Sequence, residues 1–228
     1  MAIKVTPSGE PCGATVHGVD LSKDLREDLV ASIRTAWIEH GVLSFPDQFM
    51  SDDDLERFTG YFGAFGEDPF VQPIPGREHI IAIQRNADET SSIFAEAWHT
   101  DWSFQRNPPT GTCLYGITIP ESGGDTLFAN QYKALEEMPA ALRGRIEGRR
   151  AIHSAAVAYA PEGLYGKVDE ASGRSMRVQA SEAVRDSLLH PLIKVHPESG
   201  RESLFGCLLY TSDAADDLCT VWLGGGGG

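Results

Sequence analysis

Short apolar runs and strict alternation dominate this chain, and helical spacing is confined to a few stretches. "AIKVTPSG" and "GATVHGVDL" predict two short strands punctuated by glycine and proline. Leu25, Leu29, Ile33, Ala36 and Trp37 then recur at helical intervals, with acidic residues early in the run and Gly41 just past its end. "GVLSF" predicts a strand closed by Pro46. Ser51 before three aspartates predicts a helix start: a hydroxyl cap, with negative charge at the positive end of the helix dipole. That helix would bury Leu55, Phe58 and Phe62 and stop at Gly63.

Prolines from Pro69 to Pro75 predict a loop, "HIIAIQR" a strand, and the polar "ADETSSIFAE" a mobile connection. "TGTCLYGITIP" predicts a further strand, ended by Pro120 and the turn "ESGGDT". "ANQYKALEEMPAALRGRIEGR" reads as helix broken at Pro139, and "RAIHSAAVAYAPEG" as a strand running into a loop. "HPLIKVHPESGRESLF" predicts two short strands on a "PESG" turn. No repeat, GxGxxG or P-loop pattern is present. The predicted fold is mainly β with flanking helices, built on a barrel or jelly-roll core rather than a Rossmann-type sheet.

At 228 residues, one domain is the expectation. A formal charge of −14 argues against nucleic acid or an anionic membrane as partner. No apolar run approaches a membrane span, and "MAIKVTPSGE" lacks a signal-peptide layout. Cys12, Cys113, Cys207 and Cys219 have no CxxC spacing, which suits reduced thiols in a cytoplasmic protein.

The chemistry concentrates in "EAWHTDWSF". On an extended strand residues i and i+2 share a face, so His99 and Asp101 would point together into a barrel. Two histidines and a carboxylate on one face of an octahedron leave three open positions, the arrangement of non-haem Fe(II) oxygenases. HxD also occurs as a plain hydrogen-bonded surface pair. Trp98, Trp102 and Phe104 would wall a dry pocket or simply pack a core. The hydroxyl of Thr126, just after "GGD", would bond a carboxylate or merely start a strand. A zinc hydrolase using His99 and Asp101 lacks a third ligand or general base at a sensible spacing.

"WHTDWSFQRNPPTGTCLYGITIPESGGDTLFANQYKALEEMP" closely resembles the central segment of the TauD/TfdA family of Fe(II)- and 2-oxoglutarate-dependent dioxygenases. "GATVHGVDLSKDL", "RFTGYFGAFGEDP" and "HPLIKVHPESGRESLF" resemble further family segments in the family's order, covering about residues 3–206. The resemblance implies a double-stranded β-helix, a jelly-roll variant. His99 and Asp101 would be iron ligands, Thr126 would contact the 2-oxoglutarate carboxylate, and Tyr159 and Trp98 would line the substrate pocket. It also implies dioxygen and a small organic substrate as reactants, with succinate and CO2 as products. Because Asp101 is present where related halogenases leave room for halide, hydroxylation is the implied outcome. "EDPFVQP", with Asp68 and Phe70, stands where taurine-specific members carry a histidine and a tyrosine, so taurine is not the expected substrate. A homo-oligomer is compatible with the family, and a non-catalytic jelly-roll binding module is the competing class.

The family's second histidine and its 2-oxoglutarate arginine would lie beyond "RESLF". Of the later histidines, His190 and His196 fall in the HP…HP stretch and His153 on a strand; all three read as packed or surface residues rather than the distal ligand. The chain instead ends "GCLLYTSDAADDLCTVWLGGGGG". "CLLYTSDAAD" is what read-through into a transposon-end sequencing adapter would encode. The expectation is therefore a dioxygenase domain over residues 1–206, incomplete at its C-terminus, followed by a non-native tail at 207–228. Sequencing the source gene past codon 206 checks this; the same tail in uninterrupted genomic DNA would refute it.

Overall fold

The computed structural model describes residues 3–166, 173–176, 178–181, 184 and 187–206. The tail at 207–228 lies outside them, together with Cys207 and Cys219. Two compact units form: Met1–Phe65 with Thr110–Pro139 and Val195–Leu204, and Gly66–Pro109 with Ala140–Lys194 and Phe205–Gly228.

In the first unit, β1 (Lys4–Pro7) pairs antiparallel with β2 (Ala14–His17), and β2 pairs parallel with β3 (Leu43–Ser44). A parallel return needs a crossover, supplied by α1 (Glu27–His40). Its helical stripe packs as its spacing predicts: Ile33 is buried with Leu21 and Phe58, and Leu25 and Leu29 flank them. The helix α2 (Asp52–Gly60) begins at Ser51 with a capping box. Ser51 Oγ accepts the Asp54 amide, and the Asp54 carboxylate accepts the Ser51 amide at 2.9 Å. Hydrogen bonds donated by the Ser51 hydroxyl, at 2.7 Å, and the Ser51 amide, then by Arg57, hold the Asp54 carboxyl down at about 2. Asn130 caps α3 (Gln131–Glu136), accepting the amides of Tyr132 and Lys133. Pro139 then separates α3 from α4 (Ala140–Ile146), as its missing amide requires. Cys12 and Cys113 are unpaired thiols.

The expected strand over 110–120 does not form: its backbone joins no described ladder, and Leu114, Ile117 and Ile119 are exposed. "HIIAIQR" likewise contributes one isolated bridge, Pro73 to Ile81. Alternation supplies one apolar face, but a strand also needs a neighbour for its amides and carbonyls. Among the described residues 110–120 joins no ladder, and the backbone of 79–85 has only that bridge and the Ile74 amide donating to the Ile80 carbonyl at 2.8 Å.

In the second unit, β4 (Arg150–Ser154) pairs antiparallel with β5 (Ser187–Pro191), with Ala151 opposite His190 and His153 opposite Leu188. The loop expected after β4 is in fact the short helix α5 (Ala156–Tyr159). The core joins Phe70, Ala155, Ala158, Tyr159, Tyr165 and Val184, with Phe94, Trp102 and Phe104 packed against it. After α5 the chain folds back: the Leu164 and Tyr165 amides donate to the carbonyls of Val157 and Ala158 at 2.9 and 2.8 Å. A Cβ on Gly163 would meet the carbonyl oxygens of Val157, Ala156 and Ala158 at 2.7–2.9 Å. Backbone cannot swing aside as a side chain can, so Gly163→Ala is expected to destabilise this unit by about 1–3 kcal/mol, read by thermal unfolding. A wild-type melting temperature would contradict it. β7 (Glu202–Leu204) belongs to the first unit and follows the predicted turn at Pro197–Gly200 from β6 (Ile193–Val195), its sheet partner.

Glu89 organises the approach to the HxD segment. Its side chain is nearly buried and pairs with Arg85 at 3.4 Å. It accepts hydrogen bonds from the hydroxyls of Ser175 and Ser91 and from the Ser175 amide. The Ser175 hydroxyl bond leads in pulling this carboxyl down to about 2. A depressed carboxylate stabilises the fold above its unfolded value and loses that contribution as pH falls through the folded one. Hydrogen exchange over 85–92 is therefore expected to accelerate between about pH 4.5 and pH 2. A Glu89→Gln variant should lack that acceleration.

Candidate metal centre

His99 and Asp101 do not lie on a strand. Residues 97–100 are irregular and 101–104 form a turn, so the expected in-strand alternation is replaced by a loop. The two side chains meet nonetheless: His99 Nε2 lies 3.0 Å from Asp101 Oδ1. On the other side of the ring, Nδ1 is 2.8 Å from the Ala97 carbonyl oxygen. A carbonyl can only accept, so Nδ1 carries the proton. Nε2 then faces the carboxylate with its lone pair, unless a positive species stands between them. In this structure a second proton can take that place, and the Asp101 hydrogen bond raises the His99 pKa accordingly, with burial opposing it. A divalent cation fits the same demand, with one neutral imidazole nitrogen and one carboxylate oxygen as donors. Both side chains keep an open side, at 27% and 50% exposure, so a metal and further ligands can reach them.

The loop is clamped at both ends by strained backbone. Ala95 and Trp102 adopt left-handed φ values of 58° and 50°, each costing about 1–3 kcal/mol unless the surroundings impose it. Upstream, the Ala95 amide donates to the Tyr165 hydroxyl at 2.9 Å. Downstream, the Trp102 ring is set among Phe70, Phe104 and Tyr159, with centroids at 6.2, 5.5 and 6.5 Å.

The remaining sequence-selected residues fall as follows. Tyr159 is buried and stacked on Phe70 at 4.1 Å. Burial raises its phenol pKa, and the charges of Asp68 and Asp101 add to the shift. Trp98 is half-buried, and Thr126 is exposed in irregular backbone of the first unit. His153 is fully buried, and among the described residues no three His, Cys, Asp or Glu side chains are grouped to hold a metal. Tyr165 and Ala97 also serve the site. Neither carries a sequence signal, because one acts through a distant hydroxyl and the other through its backbone.

A family model described as "Taurine catabolism dioxygenase TauD, TfdA family" matches residues 4–218. The chain belongs to the TauD/TfdA family. An alkylsulfatase of Acinetobacter baylyi is 34% identical over 84% of this chain and 59% of its own length. An (S)-phenoxypropionate/alpha-ketoglutarate-dioxygenase of Delftia acidovorans is 31% identical, covering 89% of this chain and 70% of that protein. A crystal structure of a taurine dioxygenase from Burkholderia xenovorans superposes with a TM-score of 0.64 at 29% identity, over 90% of this chain and 62% of that one. The chain thus spans about three fifths of the length of the first and last of these relatives. Its fold class is the jelly roll of this family, and the seven described strands outnumber the five helices. No described helix is long and apolar enough to cross a membrane.

Proposed function

We propose that the whole protein is an Fe(II)- and 2-oxoglutarate-dependent dioxygenase that hydroxylates a small organic molecule, consuming dioxygen and releasing succinate and CO2. The observation that carries this reading is the His99–Asp101 contact, in which Nδ1–H is committed to the Ala97 carbonyl and Nε2 is aimed at a carboxylate. When bound, Fe(II) would supply the activation of dioxygen and of the 2-oxo acid. The chain's own residues do the holding. Ala97 fixes the His99 tautomer, and Asp101 supplies the compensating negative charge. Thr126 would donate its hydroxyl to a 2-oxoglutarate carboxylate, while Trp98 and Tyr159 would exclude water on the substrate side.

Among its relatives, one is named for alkyl sulfates and another for phenoxypropionate, so the shared chemistry transfers while the substrate does not. Taurine is disfavoured. The Asp68 carboxylate, which accepts the Phe70 and Val71 amides, would repel a sulfonate, and the Phe70 ring is committed to stacking on Tyr159. The charge of −14 supports a protein without nucleic-acid or membrane partners, and cysteines without CxxC spacing suit the reducing cytoplasm.

The experiment is succinate release from 2-oxoglutarate by the full-length protein, with Fe(II) and a panel of alkyl sulfates, aryloxyalkanoates and taurine. Metal-dependent succinate formation, stimulated by a panel member other than taurine, is expected. No succinate under any of these conditions would overturn the assignment.

A further inference from the structure

Two loops of the second unit, residues 85–92 and 173–176, meet just upstream of the HxD segment. Arg85 pairs with Glu89 at 3.4 Å and donates to the Ser91 carbonyl at 2.8 Å. The Ser175 amide donates to the same Glu89 carboxylate at 2.9 Å, and the Ser175 hydroxyl accepts the Asn86 amide at 3.0 Å. Ser175 is thereby fixed to the first loop, and Arg174 beside it starts from an anchored backbone. The Arg174 guanidinium then makes two different attachments. Its Nη2 donates to the Ser92 carbonyl at 2.9 Å and to the Ser92 hydroxyl at 3.2 Å. Its central carbon stands over the Tyr165 ring, 5.1 Å from the centroid, within the range of cation–π attraction. Tyr165 is the residue whose hydroxyl accepts the Ala95 amide at 2.9 Å.

We infer that Arg174 is a positioning residue for His99: it bridges the Tyr165 ring to Ser92 and so clasps both sides of the bond that keeps Ala95 left-handed. Each link has a physical reason. Ala95 is exposed, and a single amide-to-phenol bond at such a place competes with water and restrains little by itself. A φ of 58° on a residue with a Cβ relaxes unless its surroundings impose it. The clasp supplies that imposition, because the 92–95 segment meets Tyr165 at Ser92 through Arg174, at the Phe94 ring 5.1 Å away and at the Ala95 amide. A planar guanidinium can donate along its edge while its face covers a ring, which a lysine ammonium cannot do equally well. Two residues after Ala95 comes the Ala97 carbonyl that directs the His99 ring. Rotation at Ala95 would turn that carbonyl away, and the lone pair of His99 with it. The guanidinium has no acceptor, so Arg174 directs a ligand without being one.

This inference rests on the metal-binding reading above, and two arms separate their failures. Tyr165→Phe keeps the ring and loses the acceptor, Arg174→Met loses the donors and the charge, and Arg174→Lys restores the charge and part of the donation. Thermal unfolding checks that all three are folded. In the metal-free arm, hydrogen exchange is followed at the Ala95 amide of the 228-residue chain. Protection should fall roughly tenfold in Tyr165→Phe and severalfold in Arg174→Met, where the acceptor of the Ala95 amide is untouched, with Arg174→Lys between Arg174→Met and wild type. The Gln105 amide, which bonds the Trp102 carbonyl at 2.9 Å at the other end of the loop, should keep its protection. In the second arm, Co(II) is titrated in and its visible absorption followed. Arg174→Met is expected to weaken binding on the order of tenfold and to alter the spectrum, and Arg174→Lys to recover part of both, as for other residues that orient a ligand. Wild-type Ala95 exchange in a folded Arg174→Met variant would overturn the clasp. Faster Ala95 exchange with wild-type Co(II) affinity and spectrum would reduce Arg174 to a structural residue and overturn its positioning role. If the unaltered chain binds no Co(II), the metal-binding reading fails, and Ala95 exchange alone upholds or overturns the clasp.

Discussion

Replacing either His99 or Asp101 with alanine is expected to cut divalent-metal affinity by on the order of 100-fold or more, beyond the 10–100-fold that loss of an outer-shell partner costs. The two residues supply different halves of one donor set. His99 brings a nitrogen whose direction is set by the Ala97 carbonyl, and Asp101 brings the negative charge opposite it. Removing the imidazole takes away the nitrogen donor and leaves only the carboxylate oxygen of this pair for a cation. Removing the carboxylate leaves a ring whose Nε2 has nothing to balance a cation. Stability should move little. The pair is part-exposed, and such ion pairs contribute about 0–1 kcal/mol. Anaerobic titration with Fe(II), or with Co(II) as a spectroscopic substitute, reads the affinity, and thermal unfolding reads the fold. Equal affinity in wild type and in either folded alanine variant would remove both residues from the metal site.

Acid should unfold the protein in a window set by a different histidine. His153 is fully buried and neither ring nitrogen has a hydrogen-bond partner. Burial, with the neighbouring charge of His190 second, pushes its pKa down to about 4. The folded state thus refuses a proton that the unfolded chain accepts below about pH 6.5. Between those values the unfolded state binds more protons, so stability falls as pH falls. About 2.5 pH units at about 1.4 kcal/mol each give a loss on the order of 3 kcal/mol between pH 6.5 and pH 4. His153→Phe keeps a ring against Phe205 and removes the titration, so its urea midpoint should vary much less over that range. Some slope will remain, because burial lowers the His190 pKa as well. An identical pH profile in wild type and His153→Phe would show that this ring is not what acid attacks. Below pH 4.5 the further loss belongs to Glu89, so the two groups separate by window as well as by mutation.

Legibility in the sequence followed the range of the interactions. The capping box at Ser51, the break at Pro139 and the α1 stripe were all readable, because each depends on residues within a turn or two of one another. The strands expected at 79–85 and 110–120 were misread for the complementary reason. Their alternation is real, but a ladder is a property of two segments, and among the described residues only one isolated bridge, Pro73 to Ile81, reaches either of them. The site divides in the same way. His99 and Asp101 could be found as a pair from their spacing, while the strand assumed to present them is a loop with a left-handed tryptophan.

The sequence by itself determined the local elements, the HxD donor pair and, through motifs in register, membership of a family whose fold could then be expected. Only the tertiary structure decided how that pair is held. The Ala97 carbonyl sets the ring, and the Tyr165 hydroxyl secures Ala95. Such contacts join residues remote along the chain, and their energies come from burial and hydrogen-bond geometry that exist only once the chain has packed. Spacing can therefore name two ligands, but only packing can aim them.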